Sequence, residues 1–135
     1  MNYIKIKEKM FEVDFSKALL RIGLSFVFLA FAFMQVTSPD NWASFIPEFL
    51  VSTIITANNW VILNGILELV LGIFLLLGIY VRFSSLVLAV HLFFISLSVG
   101  LSPIGIRDFG LTIATFVVFL NGVDKYCFEK KGKHF

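Results

Sequence analysis

The chain has 135 residues, of which 59% are hydrophobic and only 15% are charged, and its net charge is +2. A soluble domain averages about half apolar and about a quarter charged residues, so this composition indicates an integral membrane protein of one small domain. The single cysteine excludes an intrachain disulfide, a CxxC redox pair and a site with several thiolate ligands. The lysines crowd both ends of the chain, which is typical of membrane topology and does not indicate nucleic-acid binding.

Residues 1–15 mix lysines with apolar side chains, a basic amphipathic pattern that favours lying on an anionic membrane surface. We therefore predict a short interfacial segment there. The first transmembrane helix is predicted over about 16–37, because Asp14 or Ser16 can cap its free N–H groups and the chain reaches Pro39 just beyond its end.

A connection without any lysine or arginine follows, and its apolar stretch at 49–55 is too short to cross a bilayer. The second helix is predicted over about 60–80, with Trp60 and Tyr80 at its two ends, as expected for aromatic side chains at headgroup level. Arg82 then lies in a tight turn.

The third helix is predicted over about 83–101, because the Ser-Pro-Ile-Gly sequence that follows it favours a turn. The fourth is predicted over about 107–124 and completes a four-helix domain at 16–126. Residues 127–135 form a basic tail. The fold class is therefore all-α, a polytopic four-helix bundle in the lipid bilayer.

Four spans place both termini on one side of the membrane. Lysines and Arg82 gather on that side, whereas the long first loop carries no basic residue and only Arg107 lies opposite. Because basic residues are retained in cytoplasmic loops, we predict a multi-pass protein of the cytoplasmic membrane with both termini in the cytoplasm. The sequence leaves open whether the chain forms a homo-oligomer.

Each predicted helix carries polar or small residues at spacings of three and four, which places them on a single face. Such faces avoid lipid and pack inside a bundle. The candidate interior or ligand-site residues on these faces are Arg21, Asn64, Glu68, His91, Arg107 and Asp108.

A helical rise of about 1.5 Å per residue gives their depths. Measured from the cytoplasmic edge, Arg21 lies roughly 6 Å deep, His91 roughly 12 Å and Glu68 roughly 18 Å. We therefore predict an inner group of Arg21 with His91. The outer group is predicted to hold Gln35, Asn64, Glu68, Arg107 and Asp108.

Glu68 is the strongest candidate for function, because an ionised carboxylate near mid-membrane costs at least a few kcal/mol unless it is paired. Either it carries protons or contacts a quinone, or it makes a structural hydrogen bond or ion pair. Arg21 is interpreted first as a side chain reaching the membrane edge, and His91 as a buried, hydrogen-bonded imidazole. The sequence contains no catalytic-triad, zinc-protease or nucleotide-binding motif, and no metal or other cofactor site is evident in it.

Several short motifs make the chain resemble the DoxX family over about residues 19–122. They are Leu20-Arg21-Ile22-Gly23-Leu24, Asn41-Trp42, Ile46-Pro47, Asn64-Gly65-Ile66-Leu67-Glu68, Leu75-Leu76-Leu77-Gly78 with Arg82, and Arg107-Asp108-Phe109-Gly110-Leu111. The resemblance implies a four-helix membrane protein in a family named for the small subunit of a thiosulfate:quinone oxidoreductase. Similar members often have a glycine and a lysine late in helix 1, where this chain reads Phe31-Ala32-Phe33-Met34-Gln35.

Three functions stay open at this point. The first is a quinone-linked redox subunit that acts with a soluble or membrane redox partner. The second is a small transporter or permeability protein that uses the polar bundle interior. The third is a membrane scaffold.

Overall fold

The computed structural model describes residues 2–129, and all regular structure in that range is helical. Its four long helices are α1 (Tyr3–Thr37), α2 (Ala57–Leu77), α3 (Val81–Val99) and α4 (Pro103–Asn121). Each is long and apolar enough to cross a membrane. The predicted all-α membrane bundle of four helices is confirmed.

Helix α1 begins at Tyr3, well before the predicted start at Ser16. No glycine or proline interrupts the chain before Gly23, and the Asn2 side chain caps the helix by accepting a hydrogen bond from the Ile4 N–H at 3.3 Å. The basic segment at 1–15 therefore continues into the membrane helix without a break from Tyr3 onward. At 35 residues, α1 is roughly 52 Å long and exceeds a hydrocarbon core of about 30 Å.

The other helix boundaries differ from the prediction at the turns. Helix α2 ends at Leu77 because Gly78 adopts a left-handed conformation with φ of 75°, a common helix stop. Helix α4 begins at Pro103 instead of residue 107, because the Ser102 hydroxyl accepts a hydrogen bond from the Gly105 N–H at 3.1 Å. Serine before proline thus starts a helix here, although the sequence analysis interpreted the pair as part of a turn.

The bundle consists of two tightly packed helix pairs, α1 with α2 and α3 with α4, which contact each other less extensively. The apolar core lies towards the end of the bundle that holds the α2–α3 turn. Its buried members are Leu24, Phe28, Leu71, Leu75, Val81, Leu88, Leu92 and Val118.

The connection between α1 and α2, residues 38–56, folds against the other end of the bundle. It contains three single-turn 3-10 helices, Pro39–Asn41, Ala43–Phe45 and Glu48–Leu50. The Trp42 ring packs edge-on against Phe31 at 5.7 Å between centroids, and the Trp60 indole N–H donates to the Leu50 carbonyl at 2.7 Å. These contacts hold the connection over the helix ends.

After α4 the chain leaves the helix at Gly122 and packs against the α2–α3 turn. The backbone N–H groups of Phe128 and Glu129 donate to the carbonyls of Leu77 and Gly78 at 3.1 and 2.9 Å. The start of the predicted basic tail is therefore part of the fold, whereas its lysines at 130, 131 and 133 lie outside the described residues.

Candidate functional site

The buried polar side chains gather at two levels of the bundle. We call Arg21 and Asp124, near the α2–α3 turn, the inner pair. We call Gln35, Asn64, Glu68 and His91, nearer the other end, the cavity cluster. The two differ in how completely the protein itself satisfies their polar atoms.

The inner pair is a buried ion pair tied to a helix terminus. Arg21 Nε donates to Asp124 Oδ2 at 2.8 Å, and the two side chains are only 2% and 1% exposed. Arg21 Nη1 donates to the carbonyls of Leu75 and Leu76 at 2.8 and 2.9 Å. These carbonyls belong to the last turn of α2, where the hydrogen bonds of a following helical turn are missing; the Leu75 carbonyl also accepts from the Gly78 N–H at 3.3 Å. The guanidinium therefore neutralises a carboxylate and caps α2.

Asp124 reaches Arg21 because the chain turns at Gly122, whose φ is 69°. Burial acts to raise the pKa of Asp124. Hydrogen bonds from Arg21 and from the Tyr126 backbone N–H outweigh that effect, and the pKa lies below its usual value. Asp124 therefore stays ionised at neutral pH, and its charge is balanced by Arg21.

The cavity cluster joins three helices through hydrogen bonds. Gln35 of α1 donates from Nε2 to Glu68 Oε2 at 3.2 Å, and Asn64 donates from Nδ2 to Glu68 Oε1 at 3.1 Å. The same Asn64 amide donates to Gln35 Oε1. His91 of α3 hydrogen-bonds through Nε2 to Asn64 Oδ1, and this nitrogen lies 3.9 Å from Glu68 Oε1. Glu68 is 4% exposed, so its carboxylate is surrounded by donors near mid-membrane.

Arg107 and Asp108 form a second ion pair beside this cluster, at the start of α4. Arg107 Nη2 lies 3.2 Å from Asp108 Oδ1, and the arginine side chain is 47% exposed, whereas that of Asp108 is only 9% exposed. The Arg107 guanidinium also lies over the Phe31 ring, 5.1 Å from its centroid. The pair therefore presents a cation that has spare hydrogen-bond donors.

A cavity of about 690 Å³ connects these groups. Its polar lining includes Gln35, Asn64, Glu68, His91, Arg107 and Asp108, whereas Phe28, Phe31, Phe45 and both tryptophans, Trp42 and Trp60, contribute aromatic walls. Pockets of about 300–1,000 Å³ with apolar walls and a few polar groups are typical of small-molecule sites.

The cavity also reaches the outer face of the bundle. Leu63 of α2 and Phe94 and Leu97 of α3 line it, and these side chains are 52%, 61% and 61% exposed. Exposed apolar side chains on membrane helices contact lipid. The cavity is therefore bordered by the lipid-facing surface between α2 and α3.

The model of the DoxX family matches residues 16–101, well over half of the chain. The chain belongs to the DoxX family. No curated protein and no solved structure matches it. In this DoxX protein the matched region includes Arg21 and the whole cavity cluster, whereas Arg107, Asp108 and Asp124 lie beyond it.

The DoxX fold brings together five of the six residues that the sequence singled out. Asn64, Glu68, His91, Arg107 and Asp108 all line the cavity. Arg21 does not, because its donors are engaged by Asp124 and the end of α2. The predicted grouping of His91 with Arg21 is wrong, since the imidazole contacts Asn64 in the cavity cluster.

Sequence reasoning missed Asp124 as the partner of Arg21. Helix 4 was predicted to continue to Asp124, which would have left that carboxylate as a helix-end residue. An available indication was that Arg21 and Asp124 were both predicted near the same edge of the membrane. Within residues 2–129, no three His, Cys, Asp or Glu side chains converge in a way that could hold a metal ion.

Proposed function

We propose that this DoxX protein binds the head group of a membrane-dissolved quinone in the cavity and acts as the membrane subunit of a quinone-linked redox system. The observation that carries the proposal is a cavity in the membrane-spanning bundle that has aromatic walls and seven polar side chains, the six named above and Ser98. A quinone has the matching chemistry, namely a flat apolar ring with carbonyl oxygens and a long apolar tail.

The polar groups suit a quinone head group in type and position. The half-exposed Arg107 guanidinium has N–H donors beyond those it gives to Asp108, and such donors suit a carbonyl oxygen. Phe31 and Trp42, which pack edge-on, offer aromatic surface for the ring. The exposed side chains of Leu63, Phe94 and Leu97 at the border of the cavity suit a tail that remains in lipid.

Electron transfer to or from the quinone then falls to a partner protein. The described residues contain no cluster suited to a metal centre, so we propose a soluble or membrane partner that carries its own redox cofactor. The DoxX protein would supply the binding site and, through Glu68 and His91, groups able to exchange protons with the head group.

A small transporter is the second candidate, because polar groups in a bundle interior also suit a path for a solute. The packing at the other end of the bundle favours binding over passage. Leu24, Leu71, Leu75 and Leu88 fill that level with exposures of 6% or less, and the inner pair lies beyond them. A solute in the cavity therefore meets a closed apolar core. A membrane scaffold would not need the cavity.

We propose that the end of the bundle with the inner pair faces the cytoplasm and that the membrane is the cytoplasmic one. Lys125 and Arg82 lie at that end, whereas the 38–56 connection carries only acidic charges. Cys127 is a poor reporter of side, because it is half-buried and burial raises the pKa of its thiol.

Labelling of single cysteines in a Cys127→Ser background tests this orientation. Ser44→Cys, in the exposed part of the connection, should react with an impermeant maleimide in sealed cells. Glu8→Cys, on the exposed start of α1, should react only after lysis. The reverse pattern would refute the orientation.

Quinone binding is tested by photolabelling in lipid nanodiscs. A photoreactive azidoquinone should label peptides around Phe31, Trp42 and His91, and excess decyl-ubiquinone should abolish that labelling. Phe26 and Phe116, exposed on the lipid-facing surface away from the cavity lining, provide the internal control, since labelling there should be weak and insensitive to competitor. Uniform labelling without competition would contradict the proposal.

A further inference from the structure

The directions of the hydrogen bonds in the cavity cluster start from the carboxyl group of Glu68. Both of its oxygens accept a hydrogen bond, one from Gln35 and one from Asn64. Both Gln35 and Asn64 therefore turn their NH2 groups towards Glu68, at 3.2 and 3.1 Å. The second N–H of Asn64 is taken by Gln35 Oε1. The Asn64 amide oxygen is consequently left to face His91.

His91 Nε2 lies between two acceptors, Asn64 Oδ1 and, at 3.9 Å, Glu68 Oε1. A bare nitrogen lone pair would be repelled by both oxygens, so this nitrogen carries the proton. In a neutral imidazole the other nitrogen, Nδ1, is then an acceptor. Within residues 2–129 no hydrogen bond to Nδ1 is formed.

The imidazole is the member of the network that can meet a ligand. Its side chain is 26% exposed against 5% for Glu68, and His91 lines the cavity. A nitrogen that borders a cavity and has no partner within residues 2–129 can bond a ligand there. Because Nδ1 is an acceptor, that ligand must be a hydrogen-bond donor.

We propose that Glu68, acting through Asn64, fixes His91 as the Nε2–H tautomer, so that Nδ1 selects a ligand whose head group carries a hydroxyl. The second half rests on the proposed function. A quinol, or another phenol, donates an O–H to Nδ1, whereas the oxidised quinone offers two acceptors and cannot. The site therefore favours the reduced form, with Glu68 and Asn64 as positioning residues and His91 as the residue that contacts the ligand.

The tautomer can be measured without any ligand. In protein labelled with 15N-histidine and held in nanodiscs, the resonance of His91 should show a protonated Nε2 and an unprotonated Nδ1. A His134→Gln variant removes the only other histidine in the chain and assigns the resonances. Protonation at Nδ1, or at both nitrogens, would overturn the proposal.

Glu68→Gln tests whether Glu68 sets the His91 tautomer through Asn64, because a glutamine amide can donate as well as accept a hydrogen bond. Asn64 is then free to rotate by 180° and present its NH2 group to His91, so both tautomers should appear. Asp40→Asn is the matched control. It neutralises an exposed carboxylate that accepts a hydrogen bond from Asn58 and lies outside the cavity lining, and it should leave the Nε2–H tautomer unchanged. An unchanged tautomer in Glu68→Gln would show that Glu68 does not set it.

Ligand selection is tested by anaerobic titration with decyl-ubiquinol and decyl-ubiquinone. The quinol should shift the Nδ1 resonance upfield, as acceptance of a hydrogen bond does, and should bind roughly tenfold more tightly than the quinone. Tighter binding of the quinone would overturn the selection and leave the proposed function standing. Failure of both ligands to bind would refute the proposed function and the preference for a quinol together. The tautomer measurement would still decide whether Glu68 sets the protonation of His91 through Asn64.

Discussion

The inner pair and the cavity cluster bury similar polar chemistry in different ways. Arg21 and Asp124 are almost fully enclosed, and Arg21 also donates to the carbonyls of Leu75 and Leu76 in the last turn of α2. The cavity cluster satisfies Glu68 but, within residues 2–129, leaves one nitrogen of His91 without a protein partner. Arg107, beside the cluster, has further donors to spare, and all three residues line the cavity.

The difference separates polar groups that hold the fold from those available to a ligand. A buried charge whose partners all come from the protein has little left to offer a substrate, yet its loss is expensive. Groups that line a cavity with unused donors and acceptors contribute less to stability and more to recognition. Each prediction below tests whether the two clusters divide in this way.

The largest expected effect is on stability at the inner pair. Arg21→Met leaves Asp124 as a buried, unpaired carboxylate and uncaps Leu75 and Leu76, so the free energy of unfolding should fall by about 3–5 kcal/mol. Reversible unfolding in mixed detergent micelles measures this. The double variant Arg21→Met with Asp124→Leu should recover much of the loss, because no charge is then stranded.

Arg107→Met is the matched control for Arg21→Met, since it breaks the ion pair beside the cavity. Its arginine is half-exposed, so solvent screens this pair more than the inner pair, and its loss should cost clearly less than that of Arg21. If Arg107→Met destabilised the protein as much as Arg21→Met, the two clusters would not differ as described.

A smaller effect is expected where α1 and α2 approach beside the cavity cluster. A Cβ on Gly65 would lie 2.9 Å from Val36 Cγ2 and 3.2 Å from the Ala32 carbonyl oxygen. Gly65→Ala should therefore destabilise by about 1–3 kcal/mol and weaken quinone binding, because Gln35 must shift. Gly23→Ala on α1 is the control, because no atom of the described residues lies within 4 Å of its added Cβ. It should neither destabilise the protein nor weaken quinone binding.

The smallest predicted effect is the pH dependence of the stability that the inner pair contributes. The folded-state pKa of Asp124 lies below its usual value. Its contribution to stability is therefore complete above about pH 4 and is lost as the pH falls through the lowered folded-state pKa. Asp124→Asn should be less stable than the natural chain at neutral pH, and the gap should narrow in acid. Unfolding curves between neutral and strongly acidic pH measure this difference in stability. A difference that stays constant would contradict an ionised Asp124 paired with Arg21.

The fold could be predicted from sequence because four apolar runs of sufficient length leave few alternatives. The first helix was predicted too short, since the amphipathic pattern at 1–15 suggested a surface segment although nothing there stops a helix. Helix α4 was predicted to start too late because Ser102-Pro103 is compatible with both a turn and a helix start. Long apolar segments therefore identify spans more reliably than they define their ends.

The incorrect grouping of His91 with Arg21 follows from the helix ends that were predicted for the second and third helices. With the predicted edges at Tyr80 and Phe83, Glu68 and His91 lay roughly 18 and 12 Å deep. Counted from Leu77 and Val81, where α2 ends and α3 begins, the two depths become roughly 14 and 15 Å. A change of two or three residues at one turn thus brings the imidazole level with the carboxylate. The Asp124 contact could not be found this way, because it depends on the chain leaving the helix at Gly122.

The most direct test of quinone binding at the cavity cluster is competition photolabelling of Glu68→Gln beside its unfolding curve. The substitution keeps the size of the side chain, so stability should change by no more than about 1 kcal/mol. The affinity for decyl-ubiquinol, used as the competitor, should nevertheless fall at least about tenfold, because the glutamine no longer holds His91 in the Nε2–H form whose Nδ1 accepts the quinol hydroxyl. Full affinity together with unchanged stability would contradict a functional role for Glu68.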